Sequence, residues 1–441
     1  MVLTDRKRAV SRALSDAKKS SETRTTDSDG GDDRPPLLRW RTFPKKPLTV
    51  TDLISGSWCE LQHFYTLSRR GGKKRRTVAM KAGSEIHEKL EREVYEKVDV
   101  QIAKKEDSFG LRVWNIIQGL QILRDTGLTR ELEVWGMVDG NLVNGVIDAL
   151  TYKNPDPELE EDVISRTGSQ SSQSSQHQLS LGNKVIFITD VKTRTTKSPP
   201  AQPQMRGTII QLHLYHRFLS QMASGKVDYL QVFERYGMNP DETFSDEFMT
   251  QMAGYHDEIS PDSDSESSAS DETEATEATA DFVTAVSTPS QLGNSLSDII
   301  YMKYRTLRSL IPLLKWEIQM TFPRGAATLG QIVSVEYRYR PRAGADAGSD
   351  FPVYCNSFFV TPQLLDEYLN EYLQWWRGER EAQGVTPEEA FKCRTCEFVE
   401  DCEWRMNLEQ EMLRKARQKT TARAAAASKG GRRKQDRSTE W

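Results

Sequence analysis

The sequence has no long apolar run: no stretch approaches the roughly 20 consecutive apolar residues that a membrane-spanning helix needs. Its N-terminus also lacks the apolar core of a secretory signal, so we expect an intracellular protein that does not interact with a membrane. Cysteine is scarce, with five in 441 residues. In a reducing compartment these cysteines are better interpreted as ligands or buried thiols than as disulfides. The hydrophobic content of 37% indicates that part of the chain lies outside a compact core.

One segment lacks positive charge altogether. Residues 257–281 carry ten carboxylates and no Lys or Arg. Without these ten negative charges the formal net charge changes from −4 to +6. The rest of the chain is therefore mildly basic, which permits a polyanionic partner without proving one.

Composition also divides the chain into a folded region and polar segments. Residues 1–46 are predicted to be a disordered N-terminal segment, whose basic stretch suits either a transit peptide or a solvated tail. Disordered insertions are predicted at about 154–183, rich in Ser and Gln, and at about 257–295. Residues 406–441 are predicted to form a basic, solvated tail. The folded domain is expected at residues 47–405.

Within that domain, apolar periodicity predicts alternating helices and strands. "AMKAGSEIHEKLEREVYEKV" is typical of a helix with Ile86, Leu90, Val94 and Val98 on one face. "LEVWGMVDGNLVNGVIDALTY" predicts a hairpin that turns at Asp139-Gly140. "KVIFITDVKTR" suits a buried strand, "RGTIIQLHLYHRFLSQMAS" a helix and "VDYLQVFERYG" a strand. "QIVSVEYRYR" and "PVYCNSFFV" predict a strand pair, and "TPQLLDEYLNEYLQWWRGEREA" predicts a helix before the last cysteines.

The main catalytic signal consists of two carboxylates and a lysine. Asp148 lies in the second strand of the hairpin, and Asp190 and Lys192 lie in the next strand. Alternate residues of a strand share a face, so Asp190 and Lys192 point the same way and Asp148 can converge with them. Carboxylates bind Mg²⁺, which polarises a phosphodiester, and an ammonium stabilises the developing charge. The alternative is a salt bridge on an exposed strand.

Three further residues fit the same site. His87 begins a helix segment after "KAGSEI" and supplies an imidazole for a metal, although an exposed helix histidine has the same pattern. Gln211 and Tyr215 lie four residues apart on one helical face, where they can hold Lys192 or a DNA phosphate. Ordinary amphipathic packing is the alternative for this pair.

Three cysteines, Cys393, Cys396 and Cys402, form a C-x₂-C-x₅-C pattern that lacks a fourth ligand nearby. A zinc site completed by a distant His or Cys is one interpretation. An iron–sulfur cluster is the other, since its four cysteines can lie far apart in sequence. Of the remaining two cysteines, Cys355 suits a small buried thiol in a strand, and Cys59 is the better candidate for the fourth ligand.

Together these motifs resemble the exonuclease V family, eukaryotic single-strand DNA exonucleases also called defects-in-morphology proteins. The family belongs to the RecB-like branch of the PD-(D/E)XK nucleases, as do CRISPR-associated adaptation nucleases with iron–sulfur clusters. The resemblance covers roughly residues 47–405. It depends on six motifs in the family's order: "TDLISGSWCELQHFY", "KAGSEIHEKLE", "GVIDAL", "ITDVKTR", "QLHLYHRFL" and "CRTCEFVEDCEW".

The resemblance implies an α/β, restriction-endonuclease-like core with a mixed central sheet flanked by helices. It implies that His87, Asp148 and Asp190 bind Mg²⁺, for which Mn²⁺ can substitute, and that Lys192 is the catalytic lysine. Gln211 and Tyr215 would form the helix motif of the family. A [4Fe–4S] cluster would join the N- and C-terminal segments as a clasp through Cys59, Cys393, Cys396 and Cys402.

The implied substrate is single-stranded DNA, in replication, recombination or repair. A monomer is expected, with a single-strand-binding protein as a further partner. The family suggests mitochondrial DNA, whereas "GGRRKQ" near the C-terminus is compatible with nuclear import. Candidate phosphate contacts are Arg194, Lys197 and Arg206, and candidate stacking residues are Tyr215 and Trp404. The competing hypotheses are a non-catalytic nucleic-acid-binding protein with a zinc-stabilised C-terminal end, and a scaffold that recruits partners through its acidic segment.

Overall fold

The computed structural model describes residues 2–5, 32–161, 184–257, 303–340 and 351–435. The chain divides into two compact units, one of Met1–Ser28, Arg92–Thr129 and Asp228–Pro323, the other of Asp29–Glu91, Arg130–Val227 and Arg324–Trp441. Within the described ranges no helix has the length and apolar character that crossing a membrane requires. The predicted acidic insertion lies outside the described residues, apart from Asp257.

The helices and strands are as follows in chain order: β1 (Val2–Asp5), α1 (Pro36–Trp40), β2 (Leu48–Thr49), α2 (Val50–Ser55), α3 (Glu60–Arg70), α4 (Val78–Arg92), β3 (Lys97–Val100), α5 (Lys105–Thr126), β4 (Leu128–Val138), β5 (Asn141–Thr151), β6 (Ile186–Arg194), α6 (Gln202–Ala223), α7 (Tyr229–Arg235), α8 (Asp246–Asp257), α9 (Leu307–Thr321), β7 (Leu329–Tyr339), β8 (Phe351–Phe359), α10 (Pro362–Trp376) and α11 (Glu403–Gln435). Short 3₁₀ helices span Gly325–Thr328 and Pro387–Thr395.

The first unit is mainly helical. The long helix α5 is buried along much of its length, and α9 packs against it. The two helices are joined by the ion pair of Arg124 with Glu317, whose N–O distance is 2.5 Å. Strands β1 and β3 pair in parallel beside them.

The second unit is built on a mixed sheet of six strands. The order is β2-β5-β6-β7-β8, with β4 also paired to β5. The pairs β2–β5 and β6–β7 are parallel, and β5–β6 and β7–β8 are antiparallel. Parallel β6 and β7 have an apolar middle, as expected for strands covered on both faces.

Helices cover both faces of this sheet at β6. Val191 packs with Ile86 and Leu90 of α4, whereas the next residue, Lys192, reaches Gln211 of α6. Neighbouring residues of a strand point to opposite faces, so α4 and α6 lie on opposite sides of β6. The predicted mixed sheet flanked by helices is therefore confirmed.

Most predicted elements are confirmed, including the hairpin. Asp139 and Gly140 both have positive φ, 49° and 72°, as a two-residue type I′ turn requires. Two predictions are wrong. "VDYLQVFERYG" forms the helix α7, because the Asp228 side chain caps it by accepting from the amides of Leu230 and Gln231. Helix α4 ends at Arg92, so its apolar face stops at Leu90 and Val98 lies in β3.

The predicted boundaries of the disordered segments also need correction. Residues 32–46 belong to the folded unit, because Arg41 forms a buried, bidentate ion pair with Asp52 at 2.8 and 2.5 Å. The Ser/Gln insertion was predicted to start at residue 154, but residues 154–161 are ordered, with Asn154 donating to Glu160 at 2.6 Å. The predicted basic tail continues as helix α11, whose side chains are exposed between residues 406 and 424 apart from Leu408.

Candidate active site

The candidate site lies where β5 and β6 run side by side. Asp148 of β5 is half-buried, and its Oδ2 accepts a hydrogen bond of 2.7 Å from the backbone N–H of Val191 in β6. This contact turns one carboxylate oxygen toward the neighbouring strand and fixes the orientation of the other. Its Oδ1 lies 4.0 Å from Nδ1 of His87. The predicted convergence of Asp148 with β6 is therefore confirmed.

His87 of α4 faces both strands. Its Nε2 lies 3.1 Å from the carbonyl oxygen of Val191, and its Nδ1 lies 3.3 Å from Oε1 of Glu131. The hydrogen bond to Glu131 raises the pKa of His87 above its usual value, against the effect of burial, with Asp148 adding to the rise. A carbonyl and a carboxylate can only accept, so both contacts of the ring are hydrogen bonds only when His87 is protonated, in line with its raised pKa. In the neutral ring, donation from Nε2 to Val191 leaves a lone pair on Nδ1, where it can bind a cation.

Glu131 of β4 was not predicted from the sequence. Its carboxylate, that of Asp148 and the His87 ring each offer one ligand atom, and these atoms lie within 4.8 Å of one another. The position of Glu131 could have been predicted from the hairpin turn. Glu131 lies seven residues before Val138, and Asp148 lies seven residues after Asn141, so a two-residue turn sets them opposite each other. Glu131 also has φ +51°, a left-handed conformation that is uncommon outside glycine and concentrates at functional sites.

Asp190 of β6 is almost fully buried, with 1% exposure. Burial raises the pKa of Asp190 to about 7, and Asp148 adds to this while Lys192 and His87 oppose it. Its Oδ1 accepts a hydrogen bond of 2.9 Å from Nζ of Lys192. Its Oδ2 lies 2.9 Å from the same Nζ, but in a geometry that makes no hydrogen bond. One buried carboxylate oxygen therefore retains an unused acceptor position.

Lys192 is held by a chain of hydrogen bonds across the sheet face. Its Nζ donates to Oε1 of Gln211 at 3.2 Å, and Nε2 of Gln211 donates to the hydroxyl of Tyr215 at 3.0 Å. Burial acts to lower the pKa of Lys192, but Asp190 and Asp148 outweigh it, so that the pKa rises. Lys192 is thus a fixed cation, and Gln211 and Tyr215 lie where the motif predicts them.

A glycine in β5 allows Tyr215 to approach. A Cβ atom on Gly145 would lie 2.7 Å from Cε1 of Tyr215 and 2.7 Å from Cγ2 of Val50. Real Cβ contacts are longer than 3.0 Å. The glycine of "GVIDAL" therefore lets α6 pack closely enough for the Tyr215 hydroxyl to reach Gln211.

The four predicted cysteine ligands lie together in the second unit. Cys59 precedes α3, Cys393 lies in the second 3₁₀ helix, Cys396 ends that helix, and Cys402 precedes α11. All four line one small apolar cavity and none forms a disulfide. Burial raises the pKa of Cys59 to about 11, with the other three thiols adding to the effect. Cys355, on β8, lies elsewhere and is exposed.

Aromatic side chains enclose these thiols. Tyr65, Phe398 and Cys402 form a buried cluster, against which Cys396 and Trp404 pack. Trp404 was predicted to stack on DNA bases, but it packs in this cluster and against Gly384. Tyr215 is 5% exposed. Burial removes Tyr215 from the set of candidate stacking residues, whereas Trp404 is half-buried and contributes its ring to the packing around the thiols.

The predicted phosphate contacts do not gather in one place. Arg194 ends β6, with its guanidinium 5.7 Å from the Tyr337 ring, and Lys197 lies 5.1 Å from the Tyr339 ring. Arg206 of α6 pairs instead with Glu389 at 3.2 Å. Arg206 lines a cleft that neither Arg194 nor Lys197 reaches.

Comparison with known proteins gives a consistent result. Residues 35–405 match the family model described as "Exonuclease V - a 5' deoxyribonuclease". The chain is 25% identical to exonuclease V of the zebrafish Danio rerio, over 84% of this chain and 73% of that protein. It is 23% identical to a protein named "Exonuclease V, mitochondrial" from Candida dubliniensis, over 82% of this chain and 72% of that protein. A protein of the same name from Debaryomyces hansenii is 26% identical over 42% of this chain and 43% of that protein.

Proposed function

The chain belongs to the exonuclease V family of 5′ deoxyribonucleases, and from that premise we propose that it is a Mg²⁺-dependent exonuclease specific for single-stranded DNA. The observation that carries the proposal is the convergence of Glu131, Asp148 and Asp190 beside His87 and a fixed Lys192. Metal-assisted phosphodiester hydrolysis needs this set of groups. The mixed sheet flanked by helices supports the proposal that the core is restriction-endonuclease-like, of the PD-(D/E)XK type.

The donor set fits a hard divalent cation. Glu131, Asp148 and Asp190 offer carboxylate oxygens, which Mg²⁺ prefers and Mn²⁺ also accepts. Oδ2 of Asp190 has an unused acceptor position, and Nδ1 of the neutral His87 ring has a lone pair, so both atoms can also act as ligands. A cation bound there would polarise the phosphodiester and lower the pKa of a water molecule.

The chain's own residues supply the remaining steps. Lys192 presents an ammonium that can donate to a non-bridging phosphate oxygen and stabilise the charge that develops on it. Asp190 and Gln211 fix the position of that ammonium, and Tyr215 fixes Gln211. This preorganisation avoids the cost of orienting a flexible lysine during the reaction.

We propose that the four cysteines hold a [4Fe–4S] cluster in preference to zinc. Zinc bonds of about 2.3 Å in a tetrahedron place the sulfur atoms about 3.8 Å apart. In the described residues, the only group of three or more His, Cys, Asp or Glu with ligand atoms within 4.8 Å is His87, Glu131 and Asp148. No three of the thiols approach as closely as one zinc ion requires, whereas a four-iron cluster is larger and separates its thiolates more widely.

Mitochondrial DNA maintenance is the proposed setting. The yeast relatives are named mitochondrial, while the name of the zebrafish relative contains no such word. Replication, recombination and repair all produce single strands that such an enzyme would remove. A monomeric state and a single-strand-binding protein partner remain predictions.

The decisive experiment measures cleavage of end-labelled single strands and duplexes with Mg²⁺, Mn²⁺ or EDTA. We expect release of product from single strands in both metals and none in EDTA. Asp190→Asn and Glu131→Gln should each lower kcat by about 100-fold or more, the usual scale for removing a catalytic electrostatic group. Glu133→Gln, two residues along the same strand, is the matched control and should leave kcat within about twofold.

The results can also contradict the proposal. Equal cleavage of duplex and single strand would refute the substrate specificity. Retained activity in Asp190→Asn would refute the site assignment. A colourless protein with one zinc per chain would refute the cluster, and iron analysis of protein purified without oxygen separates the two metals.

A further inference from the structure

A basic loop between α3 and α4 has no role in the site described so far. Residues 69–76, "RRGGKKRR", are the last two residues of α3 and the first six of the segment that follows; they are called the basic loop here and contain six cations in eight positions. Gly71 and Gly72 have φ of +55° and +79°, so the chain turns sharply after α3 and exposes the residues that follow. Lys73, Arg75 and Arg76 are exposed.

This basic loop borders a cleft that reaches the catalytic lysine. Lys74, Arg75 and Arg76 line the cleft together with Lys192 and Gln211. A polymer chain bound along the basic loop would therefore pass beside the ammonium that contacts Asp190.

Arg70 of the basic loop pairs with Glu397 and Arg69 lies 3.9 Å from Asp401, but the four cations that follow Gly72 are not neutralised by any described residue. None of Lys73, Lys74, Arg75 and Arg76 has a carboxylate within 4.0 Å among the residues that the structure describes, and Arg76 donates only to the hydroxyl of Ser84. Glu397 is the one carboxylate among the described residues that lines the cleft, and it pairs with Arg70 at 2.5 Å. Low-dielectric walls lined by one sign of charge concentrate the opposite charge, so this cleft favours a polyanion.

The adjoining cleft has the opposite character. It shares Ser57, Trp58 and Pro203 with the basic cleft, but it is lined by Glu60, Glu367, Glu371 and Glu389 and by one cation, Arg206. Glu60 is ion-paired with Arg380, and Glu389 with Lys392 and Arg206, so Glu367 and Glu371 account for the net negative charge of this side. Because Arg206 is itself paired with Glu389, the basic cleft is the better path for phosphates toward Lys192.

We propose that Arg75 and Arg76, which line the basic cleft, and the exposed Lys73 beside them on the basic loop bind backbone phosphates of the DNA strand, with the scissile phosphodiester beside Lys192. This inference rests on the proposed nuclease function. It adds a substrate-positioning surface in residues 69–76. Lys74 is not included among the proposed phosphate contacts, because its Nζ donates a hydrogen bond of 3.1 Å to the hydroxyl of Ser55.

The test compares two triple variants in the full-length protein. One replaces Lys73, Arg75 and Arg76 by Gln. The control replaces Lys415, Lys419 and Arg423, three exposed cations of α11, by Gln. Binding of a fluorescent oligothymidylate is measured without divalent metal over a series of KCl concentrations, and KM and kcat are measured with Mg²⁺.

Each phosphate contact on a single strand contributes about 0.7 to the slope of log Kd against log salt. The basic-loop variant should therefore lose about 2 from this slope and bind at least about 10-fold more weakly at low salt, with KM raised and kcat within about twofold. The control should keep the wild-type slope. Equal melting temperature and iron content in both variants exclude a folding defect.

The outcomes separate this inference from the proposed function. Wild-type protein that cleaves DNA, together with a basic-loop variant of unchanged slope, refutes the inference alone. An equal loss in both variants also refutes it, because the effect would then be one of net charge. A wild-type protein that neither binds nor cleaves DNA refutes the proposed function and this inference with it.

Discussion

The substitution Gly145→Ala tests whether the chain of hydrogen bonds from Tyr215 to Lys192 positions the catalytic ammonium. The added methyl group would lie 2.7 Å from the Tyr215 ring and 2.7 Å from Val50, both closer than any ordinary contact. Overpacking of this kind costs about 1–3 kcal/mol of the free energy of unfolding. The Tyr215 ring must shift, and the hydroxyl that accepts from Gln211 at 3.0 Å shifts with it.

A matched substitution separates packing from catalysis. Gly136→Ala in β4 would place a Cβ 2.1 Å from the ring of Phe218, one helical turn further along α6. It should destabilise the same helix–sheet interface, but Phe218 has no polar atom and is not part of the hydrogen-bonded chain from Tyr215 through Gln211 to Lys192. A misplacement of about 1 Å in a catalytic group costs about 100-fold in rate. We therefore expect kcat to fall about 10- to 100-fold in Gly145→Ala, and to stay within about threefold in Gly136→Ala.

The assay is steady-state cleavage of a 5′-labelled single strand, at a temperature at which circular dichroism shows both variants folded. Tyr215→Phe provides an independent check, because it removes the hydroxyl without adding volume and should lower kcat about 10-fold. Equal loss of kcat in the two glycine variants would mean that the packing of α6, and not the hydrogen-bonded chain, determines activity. Wild-type kcat in Gly145→Ala would refute the reasoning entirely.

Three further predictions concern cluster content and stability. Cys59→Ser should abolish bound iron and the visible absorbance, whereas Cys355→Ser, outside the thiol cavity, should keep both. Arg41→Gln should lower the free energy of unfolding by about 3–5 kcal/mol, because it leaves the buried Asp52 carboxylate unpaired. Denaturant titration measures this loss. Unchanged stability would mean that residues 32–46 are disordered, as the sequence predicted. Burial lowers the pKa of His63 to about 4, so as the pH falls the unfolded chain binds a proton on this histidine before the folded chain does. The contribution of His63 to the free energy of unfolding is therefore full above about pH 6.5. It falls by up to about 3 kcal/mol as the pH drops toward 4. Melting curves of His63→Gln should lack this part of the acid sensitivity, and an unchanged slope would contradict the assignment to His63.

The sequence predicted the parts of the site that depend on local pattern. Strand alternation predicted that Asp190 and Lys192 share one face of a strand, and helical spacing predicted that Gln211 and Tyr215 share one face of a helix. Both pairs are in hydrogen-bond contact in the structure. These inferences succeed because side-chain direction follows directly from the strand and helix periods. Boundaries were less accurate: residues 32–46 are polar in composition, and residues outside the segment hold it in place, through the Arg41–Asp52 pair and the packing of Trp40 on Phe64.

Glu131 shows the limit of local pattern in another way. Its position opposite Asp148 follows from the turn, but its positive φ does not, since a left-handed glutamate is unfavourable in an isolated strand. In the structure this glutamate contacts His87 and lies in a strand that pairs with β5. The basic loop was overlooked for a similar reason: its charges were visible, but its position beside Lys192 depends on how α3 and the sheet pack.

The cysteine cavity and the basic loop are physically linked, which bears on how the cluster would affect activity. Arg69 and Arg70 begin the basic loop, and each is held by residues that enclose the thiols. Arg70 pairs with Glu397 at 2.5 Å and lies 5.2 Å from the Phe398 ring, and Arg69 lies 4.0 Å from the Tyr65 ring.

Tyr65 and Phe398 pack directly on Cys402. Loss of the cluster would therefore loosen the two ring contacts and the Glu397 pair, and with them the anchor of the basic loop. The hydrogen bonds among Asp190, Lys192 and Gln211 are made by β6 and α6 and do not pass through this region. Cys402→Ser should therefore raise KM for DNA more than it lowers kcat, at temperatures at which the sheet stays folded. Arg70→Gln, which leaves all four cysteines intact, should reproduce the rise in KM while retaining bound iron, and a normal KM in that variant would show that the cluster acts by another route.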